Sequence, residues 1–205
     1  MSAIVIDQQA PIFTVAISYF TVQTTVTCRA IDVERWIIQI LQKHRNHLHG
    51  LVVGLDVEWS GDRSIRNRVS VLQICVGFRC LVFQVIHADL FPPNLISFLS
   101  DRRFIFVGVA ILNDAERIAR GLNFLVGNTV DLRALAAYEM RREYLWYAGL
   151  QQLAEEVLRL RVVKPYAVTM SNWENYRLSN EQIAYACADA FLSFEIGKRL
   201  LLGQF

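Results

Sequence analysis

No apolar run in this 205-residue chain is long and uninterrupted enough to span a bilayer. No basic segment precedes the first hydrophobic stretch, which Asp7, Gln8 and Gln9 interrupt. The expectation is a soluble intracellular protein, cytoplasmic or nuclear, with no membrane partner. Strong charge of either sign is also missing, since 21 basic and 19 acidic residues leave a net +2. That argues against holding long duplexes by charge alone, and for a short substrate gripped at its end or basic residues gathered around one cleft. The cysteines at 28, 75, 80 and 187 have no metal-ligand spacing. Cys75 and Cys80 flank Val76-Gly77-Phe78-Arg79 and could bond across a hairpin, but reduced core cysteines are the expectation. Gly121 and Gly127 are turn residues and complete no phosphate-binding loop. His44, His47 and His49 crowd a predicted helix end, away from any nucleophile elbow, so a Ser-His-Asp hydrolase is excluded.

What is present is apolar and well patterned. Hydrophobic residues make up 54% of the chain and mean hydropathy is +0.29. Both are high for a soluble monomer, so another subunit of a homo-oligomer is expected to cover some apolar surface. The length suits one domain over 1–205, with 1–50 as an N-terminal extension packed on it. No repeat, low-complexity tract or linker divides it. Residues 12–18 and 21–28 alternate as a hairpin, and Val33, Trp36, Ile37 and Ile40 recur at helical spacing with Asp32 placed to cap. Leu51 to Val57 reads as a buried strand, followed by strands over 69–76 and 81–85 joined through Gly77. Pro92-Pro93 opens a helix, Phe104 to Gly108 is a buried strand, and a helix follows from about Leu112. A brief strand over 127–130, a helix capped by Asp131 and an amphipathic helix on Leu150, Leu153, Ala154 and Val157 come next. Ser179 and Gln182 form a capping box for the last helix. A strand-rich first half followed by βαβα predicts an α/β fold with a mixed sheet flanked by helices.

Asp56 and Glu58 stand two apart on a strand and so point to one face. Two acids side by side repel each other unless a cation sits between them. Tyr185 and Asp189 stand four apart on a helix, one above the other, among Ile183, Ala186, Cys187, Ala190 and Phe191. A carboxylate in so apolar a helix needs a partner; a neighbouring loop or an arginine would serve as well as a metal. Asp114 sits where negative charge suits the first turn of a helix, which is sufficient reason for it alone. Trp59 follows the paired acids and either packs beneath them or stacks on a terminal nucleotide. Of the local basic clusters, Arg63, Arg66 and Arg68 have the best position for substrate, because they follow the Asp56–Glu58 strand.

Gly54-Leu55-Asp56-Val57-Glu58-Trp59, then Val107-Gly108-Val109-Ala110-Ile111-Leu112-Asn113-Asp114, then Tyr185-Ala186-Cys187-Ala188-Asp189 resemble the three exonuclease motifs of the DEDD superfamily, in order. The tyrosine four before the last acid resembles the DEDDy branch. Val71-Leu72-Gln73-Ile74-Cys75-Val76 and Ser171-Asn172-Trp173 further resemble the Werner syndrome-like exonucleases, especially small plant members that are the nuclease domain alone. The resemblance implies an RNase H-like, DnaQ-like exonuclease fold, with an extra N-terminal β-hairpin and helix here. It also implies 3′→5′ hydrolysis of single-stranded nucleic acid with two Mg²⁺ or Mn²⁺ ions. By that likeness Asp56 bridges both metals, Glu58 and Asp189 complete the site that activates water, Asp114 serves the second metal through water, and Tyr185 orients the water, with general-base action left open. Asn172 and Arg63 join Trp59 as substrate contacts. Family members often carry basic residues before Ser171-Asn172-Trp173; here Lys164-Pro165 remains and Tyr166-Ala167-Val168 follows. RNA is favoured over DNA, as in an exoribonuclease of RNA turnover or small-RNA pathways, with a homo-oligomer, even a hexameric ring, and protein partners of RNA-processing complexes implied. The alternatives are a DNA exonuclease in repair and a weakly active nuclease-fold interaction module.

Overall fold

The computed structural model describes residues 2–59 and 69–205, so Arg63, Arg66 and Arg68 lie outside the described residues. Three N-terminal strands, β1 (Ile4–Gln9), β2 (Ile12–Ile17) and β3 (Phe20–Thr27), lead into helix α1 (Ala30–Lys43). Strands β4 (Leu51–Trp59), β5 (Val69–Val76) and β6 (Arg79–Phe83) follow, then α2 (Pro93–Ser100), β7 (Phe104–Gly108), α3 (Ile111–Leu122) and β8 (Asn128–Asp131). The remaining chain is helical: α4 (Leu132–Glu139), a 3₁₀ turn at Glu143–Tyr147, α5 (Leu150–Leu158), the short α6 (Tyr166–Thr169) and the long α7 (Asn180–Leu201). The strands form one eight-stranded mixed sheet in the order β1-β2-β3-β6-β5-β4-β7-β8. Strands β4, β7 and β8 run parallel, β4-β5-β6 form an antiparallel meander, and β3 joins β6 in parallel.

Strand alternation separates two cores. Along β4, Val53, Leu55 and Val57 face Val33, Trp36, Ile37 and Ile40 of α1 together with Leu95, Phe98 and Leu99 of α2. The other face of the sheet carries α4, α5 and α7 over a second apolar cluster that includes Leu153, Val157, Phe191 and Ile196. Helix α7 is buried for most of its length because sheet lies beneath it and helices beside it. It begins at the expected capping box, with Ser179 accepting from the Gln182 amide and Gln182 reaching back to Ser179.

Several details differ from expectation. The extra N-terminal sheet is a three-stranded meander rather than a hairpin. Its first strand is mostly exposed and, among the described residues, pairs only with β2; with Val5 alone partly buried on the core, it shows too little alternation to read. Asp32 does not cap α1; Arg29 holds that position, and Asp32 lies in the first turn, where it accepts from the Thr27 hydroxyl at 3.0 Å and meets Arg29 and Arg35. Cys75 and Cys80 are bonded as a disulfide, not reduced. The two-residue turn Gly77-Phe78, with Gly77 at φ +61°, sets them directly opposite each other with Cα atoms 4.2 Å apart. Strand β4 also continues to Trp59, two residues beyond its predicted end, so both paired acids lie within the sheet. Among the described residues no helix is long and apolar enough to cross a membrane.

Candidate active site

Gly54 is the reason a site forms here. It faces α7 so closely that a Cβ would stand 2.0 Å from the Ala190 carbonyl oxygen and 2.7 Å from the Phe194 nitrogen. Only a glycine lets the helix backbone lie on the strand at that point. Residues 54, 56 and 58 share a face, so the approach that seats α7 on Gly54 also brings Asp189 to Asp56 and Glu58. One carboxylate oxygen from each of Asp56, Glu58 and Asp189 lies within 4.8 Å of the others. Gly108 serves a similar end on β7: a Cβ there would meet the Leu55 carbonyl oxygen at 2.7 Å. Past Gly108 the chain turns through Ala110, at φ +57°, and starts α3, whose first turn holds buried Asp114.

The three clustered acids line a cleft of about 230 Å³ with Val57, Trp59, Val109, Leu150, Lys164, Thr169, Tyr185 and Ser193. Asp114 stands outside the set of three, although its charge acts on both Asp56 and Glu58. Burial, followed by repulsion from Asp189, Asp114 and Glu58, pushes the Asp56 carboxyl well above its ordinary range. Burial and Asp189 push Glu58 up to about 8. Burial pushes Asp114 up to about 7 against the opposing pull of Arg117. Burial also raises Asp189, against the pull of Lys164. Acids held this far above their usual values mark a site short of positive charge, and such crowding is what hard divalent cations relieve. Asp189 Oδ1 and both amide atoms of Gln73, which pairs with Asp56 across β4 and β5, have no hydrogen-bond partner among the described residues. Unpaired buried polar atoms facing a carboxylate cluster suit a site that takes in water and a cation.

Tyr185 lies one turn before Asp189. Its phenol oxygen accepts from the Thr169 hydroxyl at 3.0 Å, and its ring packs on Trp173, with centroids 5.8 Å apart. Burial and then Asp189 raise the phenol above its ordinary value, so it stays protonated at neutral pH. Lys164 donates to Asp189 Oδ2 at 2.6 Å, with its ammonium 4.6 Å from the Tyr185 ring centroid. Burial disfavours the charged lysine, but Asp189, Tyr185 and Asp56 outweigh it and hold the ammonium above its usual range. Trp59, 40% exposed, forms the rim, with the Arg117 guanidinium 3.9 Å above its ring.

The structure thus gathers Asp56, Glu58, Asp189, Tyr185 and Trp59 around one cleft and leaves Asp114 outside its lining, in the first turn of α3. Asn172 is not among the lining residues. Its side chain accepts from the Glu174 amide and its carbonyl from Gln182, the role of a turn residue that braces the start of α7. Arg63 lies outside the described residues. Sequence reasoning did not single out Thr169 or place Lys164 against Asp189. The signal for Lys164 was its survival, with Pro165, in the stretch before Ser171-Asn172-Trp173 where family members often carry basic residues; for Thr169, 16 residues from its partner, there was none.

The eight-stranded mixed sheet flanked by helices is a fold of the RNase H-like kind. A family model described as 3′-5′ exonuclease matches residues 28–202, and the chain belongs to that family. Among relatives, it is 29% identical over 188 residues to a 3′-5′ exonuclease of Arabidopsis thaliana, covering 90% of this chain and 63% of that one. It is 30% identical over 154 residues to the bifunctional 3′-5′ exonuclease/ATP-dependent helicase WRN of Mus musculus, covering 74% of this chain and 11% of that one. The chain therefore spans less than two thirds of either relative. Among solved structures, the EXD2 exonuclease domain soaked in Mn superposes with TM-score 0.53 at 23% identity, covering 87% of this chain and 88% of that one. Escherichia coli RNase D, an exoribonuclease involved in structured RNA processing, gives TM-score 0.67 at 18% identity, covering 82% of this chain and 42% of that one. The likeness to both shows the shared RNase H-like fold, and the family-model match begins after β3, leaving the N-terminal meander outside it.

Proposed function

We propose that this chain is a divalent-metal-dependent exonuclease that removes nucleotides one at a time from the 3′ end of single-stranded nucleic acid, with RNA ahead of DNA. The convergence of Asp56, Glu58 and Asp189 within 4.8 Å, with Tyr185 one helical turn away, carries this reading. The residues fit a hard cation: they are oxygen donors, crowded, short of counter-charge, and one buried Asp189 oxygen is unpaired. Asp56, Glu58 and Asp189 would hold the ions directly, and Asp114 through water. Two Mg²⁺ or Mn²⁺ ions, when bound, supply a nucleophilic hydroxide at neutral pH and stabilise the leaving 3′ oxygen. Tyr185, neutral and steadied by Thr169, positions the attacking water by a hydrogen bond rather than taking its proton as phenolate. Trp59 stacks on the terminal base, which suits a sequence-tolerant enzyme. The RNA preference is supported by the fold shared with RNase D, an exoribonuclease.

In the experiment that tests this, 5′-labelled single strands of RNA and DNA, with free or blocked 3′ ends, are incubated with Mn²⁺ or Mg²⁺. Stepwise shortening of free ends, faster on RNA and stopped by EDTA, is expected. Asp56→Ala and Asp189→Ala should each abolish it while the protein stays folded by circular dichroism. Full activity in either variant overturns the metal assignment, and faster cutting of DNA overturns the preference. We also propose self-association, supported by the high apolar content and by exposed Ile4 and Ile6 on the open edge strand β1.

A further inference from the structure

Among the described residues around the cleft, Lys164 stands where no requirement of the fold explains it. Its ammonium donates to Asp189 Oδ2 at 2.6 Å and lies over the Tyr185 ring, yet the same side chain lines the cleft with Asp56 and Glu58. A structural ion pair this deep would be expected to satisfy both carboxylate oxygens, because burying charge is costly unless every lone pair is used. Here Asp189 Oδ1 has no partner among the described residues. The lysine side chain also keeps 23% of its accessible surface, against 5% for Asp189. It reaches in from the wall on a long flexible stem, with Pro165 fixing the backbone immediately after it.

Charge defines what such a lysine does. Four ionised carboxylates, Asp56, Glu58, Asp114 and Asp189, balance two divalent ions. Lys164 then adds a positive charge inside the cleft, beyond that of Arg117 at the rim, and a phosphodiester entering the cleft meets that surplus. We propose that Lys164 is the site's own exchangeable cation: without metal its ammonium occupies Asp189, and with metal bound it turns to the phosphodiester of the substrate strand. The inference rests on the metal-site reading above and gives a role to a residue that reading does not use. An ammonium suits exchange better than a guanidinium, since it is a compact point charge without a bidentate fork to break.

Metal binding without nucleic acid tests the first half. Mn²⁺ is titrated calorimetrically into metal-free wild type, Lys164→Met, Lys164→Gln and Lys164→Arg. Removing a competing charge beside the carboxylates should tighten Mn²⁺ binding about tenfold in Lys164→Met. Lys164→Arg should stay within about threefold of wild type, since it keeps the charge. A merely structural ion pair predicts the reverse, because freeing Asp189 to wander would weaken the site. Lys164→Gln gives the same comparison should the methionine variant fail to fold. The second half is read with Ca²⁺ in place of Mn²⁺, so that the strand is held but not cut. A 5′-labelled oligonucleotide should bind Lys164→Met about tenfold more weakly, with a log–log salt slope shallower by about 0.7. Mn²⁺ binding to Lys164→Met that is no tighter than to wild type, or unchanged oligonucleotide binding, overturns the proposal. Wild type that binds no Mn²⁺ overturns the metal site itself, and this inference with it.

Discussion

Asp56, Glu58, Asp114 and Asp189 make the metal-free protein pH-sensitive in a direction opposite to most proteins. Burial and repulsion from Asp189 hold Glu58 at about 8, and burial, with Asp131 adding to it against Arg117, holds Asp114 at about 7, both far above a free carboxyl. The folded chain therefore keeps protons that the unfolded chain has already released. Stability contributed this way is present in acid and is lost as pH rises through 7 and 8. In EDTA, the melting temperature should fall between pH 6 and pH 8.5, and saturating Mn²⁺ should remove the decline. A flat or rising profile in EDTA would show that the acids do not crowd as described. Tyr185 gives a second residue-scale prediction. With the phenol held by Thr169 and kept neutral, Tyr185→Phe should lower kcat about tenfold or more while Mn²⁺ affinity stays unchanged. Thr169→Val should lower kcat less, in the same direction. At this scale the acids and the tyrosine were legible in sequence because spacings of two and four translate directly into shared faces. The Lys164 and Thr169 contacts were not, since their partners lie 25 and 16 residues away and no local period connects them.

Among elements, the pair β4 and α7 decides whether a site exists. Strand β4 offers its odd residues to the α1 and α2 core and its even residues, Gly54, Asp56 and Glu58, to α7. A methyl group on Gly54 would press into the Ala190 carbonyl, so Gly54→Ala should cost about 1–3 kcal/mol of stability and lose most nuclease activity by lifting Asp189 away. Gly149 is the comparison without a clash: an added Cβ meets nothing within 4 Å and φ is −81°, so Gly149→Ala should cost only the roughly 0.5–1 kcal/mol of alanine at the N-cap of α5 and leave nuclease activity intact. Chemical denaturation of the three proteins makes the comparison. Most element boundaries followed from strand alternation, prolines and caps. The capping box at Ser179 and the cap at Asp131 stand where side-chain chemistry requires them. Strand β1 and the Cys75–Cys80 bond did not follow. A mostly exposed edge strand has too little pattern, and whether two cysteines meet depends on cross-strand register, which a turn of unknown length leaves open.

On the scale of the whole molecule, the sheet extends past the family match by a three-stranded meander that ends in an open edge. Ile4 and Ile6 stand exposed on that edge, 56% and 54% accessible. If a second copy covers them, sedimentation velocity should find a species heavier than the 23.5 kDa chain, and Ile4→Lys with Ile6→Lys should return it to monomer. A wild type that sediments as a monomer at micromolar concentration would sink the self-association. The sequence by itself determined the layered α/β arrangement and the identity of the acids, because periodicity and residue chemistry are local properties. Tertiary structure alone decided that these acids meet over Gly54, that Lys164 pairs with Asp189, and that Asn172 braces a turn instead of lining the cleft. Those outcomes depend on how closely a helix can approach a strand, and close approach is settled by the whole packing rather than by any one segment.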